Sequence, residues 1–207
     1  MEASTISLYH PVAPEDEARA ELYAVLSRLY AAPPDPAFLS VLGASDPWAD
    51  DGDHPLATAW NRLVLASRAM DADAAEQEYT DLFIGVGKCE VNPHASHWLS
   101  GFMMEKPLAE LRTELAELGL ARRPGVGMLE DHLAAQFETM RILITGAPER
   151  RPAPIAVQRG YFERRIAPWV FVCCDAMQIS SVANYYRRVA ELTLSFMAVE
   201  RDSLAIE

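Results

Sequence analysis

Helix signals run through nearly the whole of this chain and strand signals through almost none of it. That limits what it can fold into more than any other feature. Ala occurs 32 times among the 207 residues. Apolar/polar alternation is nowhere sustained, and no Asn-Gly or Asp-Gly turn separates strand-like runs. Leu22, Val25, Leu26 and Leu29 mark an amphipathic helix that Pro33-Pro34 stops. Asp35 as cap with Pro36 at the first helical position opens a second, closing near Gly43. After a polar loop to Pro55, the residues Leu56, Trp60, Leu63 and Val64 space a third.

Asp73 and Glu76 read as a capping box for the helix carrying Tyr79, Leu82 and Phe83, which Gly85-Val86-Gly87 breaks. A short helix is expected within Pro93 to Gly101, and a clearer one from Pro107 to Gly119. Leu129, Leu133, Phe137, Met140 and Ile144 then space a long helix that Gly146 closes, with Glu130-Asp131-His132 in its first turn. Beyond a basic, proline-containing stretch from Pro148 to Pro154, helices are expected from Val157 to Cys174, bent at Pro168, and from Ser180 to Glu200. In the last one Val182, Tyr185, Tyr186, Val189 and Phe196 form the apolar stripe. The expectation is an all-α, single-domain helical bundle of about nine or ten helices over residues 1–207, with 148–154 as a candidate hinge.

Thirty acids against 18 bases leave a formal charge of -12. Such an excess argues against nucleic acid, whose binders carry basic patches that displace counterions. The imbalance is confined to the first 120 residues, which hold 20 acids and seven bases; the remainder holds ten and 11. A solvated acidic face accounts for this, and so does attraction of a basic ligand whose encounter rate falls with salt. The stretch Met1 to His10 lacks the basic region and apolar run of a secretory signal. The apolar run Ile166 to Cys174 is shorter than the roughly 20 residues a bilayer requires. Three cysteines, two of them adjacent, suit a reducing compartment. Together these features lead to the expectation of a soluble, cytoplasmic protein.

Chemistry is sparse: the chain has no Gly-rich phosphate loop, Cys-x-x-Cys, Gly-x-Ser-x-Gly or His-Glu-x-x-His. Three groups stand out. Glu130-Asp131-His132 reads either as acids favoured at a helix start or as an acceptor and a switchable donor at a groove mouth. Its order is the reverse of that in His-Asp phosphohydrolases. Cys89, His94, His97 and His132 are ligand types for zinc, but without paired Cys-x-x-Cys spacing they read better as polar loop residues. Tyr79, Leu82, Phe83 and Trp98, with Met103 and Met104, have the spacing of a core. They would equally line a cleft for an apolar helix.

In order along the chain, these segments resemble the TorD/DmsD group of redox-enzyme maturation chaperones. Tyr79-Thr-Asp-Leu82-Phe83 is similar to that group's Tyr-x-x-Leu-Phe segment, and Pro93-His-Ala-Ser96-His-Trp98-Leu99 to its Pro-x-x-Ser-x-aromatic-Leu stretch. Leu108-Ala-Glu-Leu111-Arg112 resembles its Leu-x-x-Leu-Arg helix, and Glu130-Asp131-His132 its Glu/Pro-Asp-His signature. Tyr161 to Trp169 and Asn184 to Thr193 resemble its closing helices. The likeness spans about residues 16 to 199. Two positions depart from the pattern: Arg165 stands where the group often has His, and Leu129 where a proline is common.

The resemblance implies a cytoplasmic chaperone, without turnover or a cofactor of its own. It would bind the twin-arginine signal peptide and apoprotein of a molybdopterin oxidoreductase, of the dimethyl-sulfoxide or trimethylamine-oxide reductase or formate dehydrogenase type. Such binding delays export until the cofactor is inserted. Carried over by position, the peptide-binding candidates are Tyr79, Leu82, Phe83, Ser96, Trp98, Asp131 and His132, with Glu130 assisting. The carboxylates would meet arginine and the apolar side chains the leader's apolar core. The group includes monomers and helix-swapped dimers. Two other classes compete with this reading: a metal-dependent hydrolase using His94, His97, His132 and Asp131, and a helical adaptor for another partner.

Overall fold

The computed structural model describes residues 12–85, 88–148 and 150–206. The expectations about Met1 to His10 and the Val86-Gly87 part of the helix break lie outside the described residues. Among the described residues ten α-helices follow in order: α1 Pro14–Ala31, α2 Pro36–Ala44, α3 Pro55–Ala69, α4 Ala72–Tyr79, α5 Ala95–Ser100, α6 Lys106–Glu117, α7 Leu133–Thr145, α8 Ile155–Tyr161, α9 Ala167–Ile179 and α10 Tyr185–Ile206. A π-helical turn, Thr80–Ile84, prolongs α4, and a second, Phe162–Ile166, fuses α8 to α9. Among the described residues there is no strand, only two isolated bridges. No helix among them is long and apolar enough to cross a membrane.

Proline sets the starts. Helices α1, α2, α3, α6 and α9 each carry Pro at the first or second helical position. The missing N–H costs nothing there, because no intrahelical acceptor faces it. The Asp35 carboxylate accepts from Phe38 N at 2.7 Å, as expected for the α2 cap. The α4 cap is Asp71, whose carboxylate accepts from Asp73 N and Ala74 N, both at 3.1 Å. The expected Asp73 instead lies inside the first turn, two residues past the only place from which a side chain reaches those N–H groups. Schellman bonding ends α6: Gly119 N donates to Ala116 O at 2.9 Å and Leu120 N to Leu115 O at 2.7 Å.

Helix α1 lies along α7, and α10 packs against α3 and α9. Aromatic rings of α1 knit these layers together: Tyr23 meets Phe137 of α7 edge-on at 5.6 Å and Phe196 of α10 at 4.8 Å. Tyr30 meets Phe83 of the first π-turn at 6.2 Å. At the far end of α10 the buried Glu200 accepts from Arg19 at 2.7 Å and from Tyr23 at 2.9 Å, which fixes α1 against α10.

Three boundaries differ from the sequence reading. Helix α7 begins at Leu133, so Leu129 to His132 form a turn ahead of it, with His132 N donating to Leu129 O at 3.2 Å. The α8–α9 rod runs from Ile155 to Ile179 and is irregular at Phe162–Ile166. Pro168 has no N–H to continue the ladder, and the indole of Trp169 donates to Arg165 O at 2.7 Å. Helix α10 starts at Tyr185 instead of Ser180, leaving Val182 outside it and exposed. The reason lies far away in sequence. The Glu78 carboxylate accepts from the backbone N–H groups of Asn184, Tyr185 and Tyr186 at 2.8, 3.0 and 2.7 Å. A helix from α4 thereby supplies the cap of α10, with its negative charge at the positive helix end. The stretch around Pro148 to Pro154 is pinned to α7, since Ala153 N donates to Leu143 O at 2.7 Å.

Replacing Glu78 by Ala is expected to cost about 2 to 3 kcal/mol, because three N–H groups lose a charged acceptor. Glu76→Ala, two residues away and exposed, should change stability by less than about 0.5 kcal/mol. Urea denaturation of the two variants measures the difference, and equal midpoints would contradict the capping role. Phe137→Ala, in the fully buried ring cluster, is expected to cost about 3 to 5 kcal/mol by the same measurement.

Candidate functional site

The region singled out by the sequence is built on a fold-back. The first π-turn closes at Gly85, which has φ 61°. A Cβ there would overlap the Lys88 carbonyl, so the turn requires glycine. The returning chain is tied to the turn by Val91 N donating to Leu82 O at 2.9 Å. It then runs antiparallel to the turn ahead of α7. Ala95 N donates to Asp131 O at 2.9 Å and Leu133 N to Pro93 O at 2.8 Å, so His94 and His132 sit opposite each other.

Asp131 is fully buried in this strap. Its Oδ2 accepts from Ser96 N at 3.0 Å and from the Ser96 hydroxyl. Side chain and carbonyl of Asp131 together satisfy two of the N–H groups at the start of α5. Oδ1 is equally buried and has no hydrogen-bond partner among the described residues. Leaving such an oxygen unpaired costs about 1 to 3 kcal/mol. His132 is the cap of α7, with Nδ1 accepting from Ala134 N at 3.1 Å, which assigns the proton to Nε2. Its ring stands edge-on to His94, 4.8 Å between centroids. Burial first, then the neighbouring His94, holds the His132 pKa down at about 3. Burial also lowers that of His94, against the opposing pull of Asp131.

Asn92, which sequence reasoning passed over, organises the near side. Its Oδ1 accepts from His94 N at 3.1 Å and lies 3.0 Å from His94 Nδ1. Its carbonyl accepts from the Trp98 indole at 2.7 Å. An asparagine in a loop carries no periodic signal, so nothing in the sequence marked it. Trp98 is half-buried, while Leu99, Phe102 and Met104 beyond it are exposed. Glu130 accepts from Arg112 Nε and Nη2 at 3.0 and 2.9 Å and lies 3.4 Å from Arg122. Burial would raise its pKa, but the Arg112 hydrogen bonds prevail and hold it below the usual carboxylate range.

The structure thus brings Ser96, Asp131 and His132 together, with Trp98 on the same short helix and Glu130 alongside. Tyr79, Leu82 and Phe83 turn to the core side: the Tyr79 hydroxyl donates to Tyr30 O at 3.1 Å, and Phe83 meets Tyr186 at 5.1 Å. Arg165, the departure from the family pattern, pairs with Glu114. The geometry lends the hydrolase alternative no assembled ligand set. Among the described residues no three His, Cys, Asp or Glu side chains are placed to hold a metal ion. His132 Nδ1 is already engaged as a cap.

The described residues thus form an all-helical chain in which Ser96, Asp131 and His132 hold a strap against a short helix. Residues 49–175 match the family described as "Nitrate reductase delta subunit". The chain is 24% identical over 170 residues, 79% of its length and 77% of the relative's, to chaperone protein TorD of Photobacterium profundum. Its fold is similar to that of a redox enzyme maturation protein from Archaeoglobus fulgidus, with a TM-score of 0.55 and 16% identity over 94% of this chain and 98% of that one. The chain belongs to this family of TorD-type redox-enzyme maturation chaperones, whose members are chaperones and not enzymes.

A histidine held neutral makes the strap acid-sensitive. The folded pKa of His132 lies below its unfolded value near 6.5. The contribution to stability is therefore complete above about pH 6.5 and falls by up to about 1.4 kcal/mol per pH unit on the way down to the folded pKa. His132→Asn retains a capping acceptor and removes the titration. Its melting temperature should exceed that of the wild type at pH 5 and not at pH 8, and parallel pH profiles would contradict the assignment.

Proposed function

We propose that this chaperone acts in the cytoplasm on a molybdopterin oxidoreductase. The client would be of the dimethyl-sulfoxide or trimethylamine-oxide reductase or formate dehydrogenase type. The chaperone binds the client's twin-arginine signal peptide and apoprotein, assists insertion of the client's cofactor and delays export. The observation that carries the reading is the Oδ1 atom of Asp131, a buried carboxylate oxygen without a partner among the described residues, set in the motif most like the family's signature. An arginine of the leader is the donor that would satisfy it.

Because Asp131 is fully buried, the guanidinium gains access by displacing the His94–His132 pair or the start of α5. Glu130, already shared by two guanidiniums, assists by exchanging one of them for the leader's. Trp98 and the exposed Leu99 next to it receive the leader's apolar segment. In this reading Ser96 and His132 hold the strap in register, while Tyr79, Leu82 and Phe83 back it from the core. The acid excess of the first 120 residues raises the encounter rate of a basic leader. The chain acts as one unit, as a monomer or as a dimer that exchanges helices about residues 148–154.

Fluorescence anisotropy with a labelled twin-arginine leader peptide tests this directly. Asp131→Asn keeps an acceptor for Ser96 and removes the charge. Binding is expected to weaken by about tenfold or more, the equivalent of one charge-assisted contact of about 1.5 to 3 kcal/mol. Replacing the peptide's Arg-Arg by Lys-Lys should also weaken it, since lysine lacks the planar fork. Unchanged affinity in both arms, with an unchanged melting temperature, would sink the reading.

A further inference from the structure

A second surface includes Glu130, next to the strap in sequence. Between α1, α7 and the loop that follows α6 runs a groove of about 340 Å³, lined by Ala31, Leu120, Val126, Met128, Ala134 and Ile142. Its floor is fixed, because the Ser27 hydroxyl of α1 donates to Ala134 O of α7 at 2.9 Å. The lining residues of α7 extend from Ala134 to Ile142, eight positions apart. At 1.5 Å per residue this is a channel about 12 Å long, two turns of helix. A partner helix would lay apolar side chains at i, i+3 or i+4 and i+7 into it.

The rim is basic, in a chain that is acidic as a whole. One carboxylate, Glu130, serves two guanidiniums, Arg112 and Arg122. Glu138 is taken up by Arg141. Arg123 lines the groove and makes no ion pair among the described residues. Of the charged residues lining the groove, Glu130 and Glu138 are taken up by Arg112 and Arg141 from outside the lining, which leaves Arg122 and Arg123 as its charge in excess. A basic leader is disfavoured at such a rim, and a segment with its own carboxylates is favoured.

We propose that this groove docks an acidic amphipathic helix of a partner protein, with its apolar face in the channel and its Asp or Glu side chains on Arg122 and Arg123. It is a second contact, next to the twin-arginine site and sharing Glu130 with it. Two labelled helical peptides of about 15 residues, each with leucines at i, i+3 and i+7, test it. One carries glutamates on its flanks and the other lysines. With the full chain, the glutamate peptide is expected to bind about tenfold or more tightly than the lysine peptide, the gap closing as salt is added.

Arg123→Glu, at an exposed residue, should remove most of that preference. Ala135→Trp, which fills the channel, should weaken the glutamate peptide with the melting temperature checked alongside. Equal affinity for the two peptides, or a preference indifferent to Arg123→Glu, would overturn the proposal. So would a dimer in sedimentation that Arg123→Glu dissociates, which would assign the groove to a second copy of this chain. The twin-arginine leader, titrated against Arg123→Glu in the same series, is expected to bind as to the wild type, so either site fails or stands separately.

Discussion

The carboxylate of Glu78 determines where the longest helix of the molecule begins. Three consecutive N–H groups at the start of α10 end on its two oxygens, within a site from which solvent is nearly excluded. A helix start buried without acceptors would forfeit the hydrogen bonds those groups make in water, so α10 docks only where α4 offers this side chain. Docking in turn aligns Tyr186 with Phe83 and Tyr79, and through the α10 stripe places Phe196 on Tyr23 and Glu200 on Arg19. The first π-turn, directly beyond Glu78 and Tyr79, is therefore held from both sides before the chain folds back toward the strap.

The strap repeats the device on a smaller scale. Asp131 caps α5 from outside its own sequence neighbourhood, as Glu78 caps α10, and His132 caps α7 from within. In each case a polar side chain is desolvated and compensated by backbone N–H groups aligned with a helix dipole. The difference is in completeness. No oxygen of Glu78 is left without a partner, while Asp131 keeps one unpaired among the described residues. A structural cap has no need of a spare buried acceptor, and the proposed arginine contact rests on this surplus.

Charge is distributed by the same logic. The net -12 of the chain, read as a number, predicts an acidic surface everywhere. Folding gathers Arg112 and Arg122 on Glu130, and Arg164 and Arg165 on Glu114, so that two guanidiniums meet each of these carboxylates. Glu130 thus belongs to two environments, next to the buried strap in sequence and among the residues lining the basic groove.

Helix existence and class were determined by local chemistry: periodic apolar residues, prolines at helix starts, Asp35 at its cap and Gly119 and Gly146 at two ends all act within a few residues of where they stand. The resemblance of ordered motifs was legible for the same reason, since each is a short string. What local chemistry left open was decided by contacts distant in sequence. The start of α10 depends on Glu78, more than 100 positions earlier, and the start of α7 on a strap partner at His94. Sequence spacing placed Glu130 to His132 in a first helical turn; the backbone exchange with Pro93 and Ala95 holds them ahead of it. The same exchange buries Asp131, while Trp98 stays half-buried and Leu99 exposed, a distinction no string of residue types contains, because burial belongs to the packed surface and not to the residue.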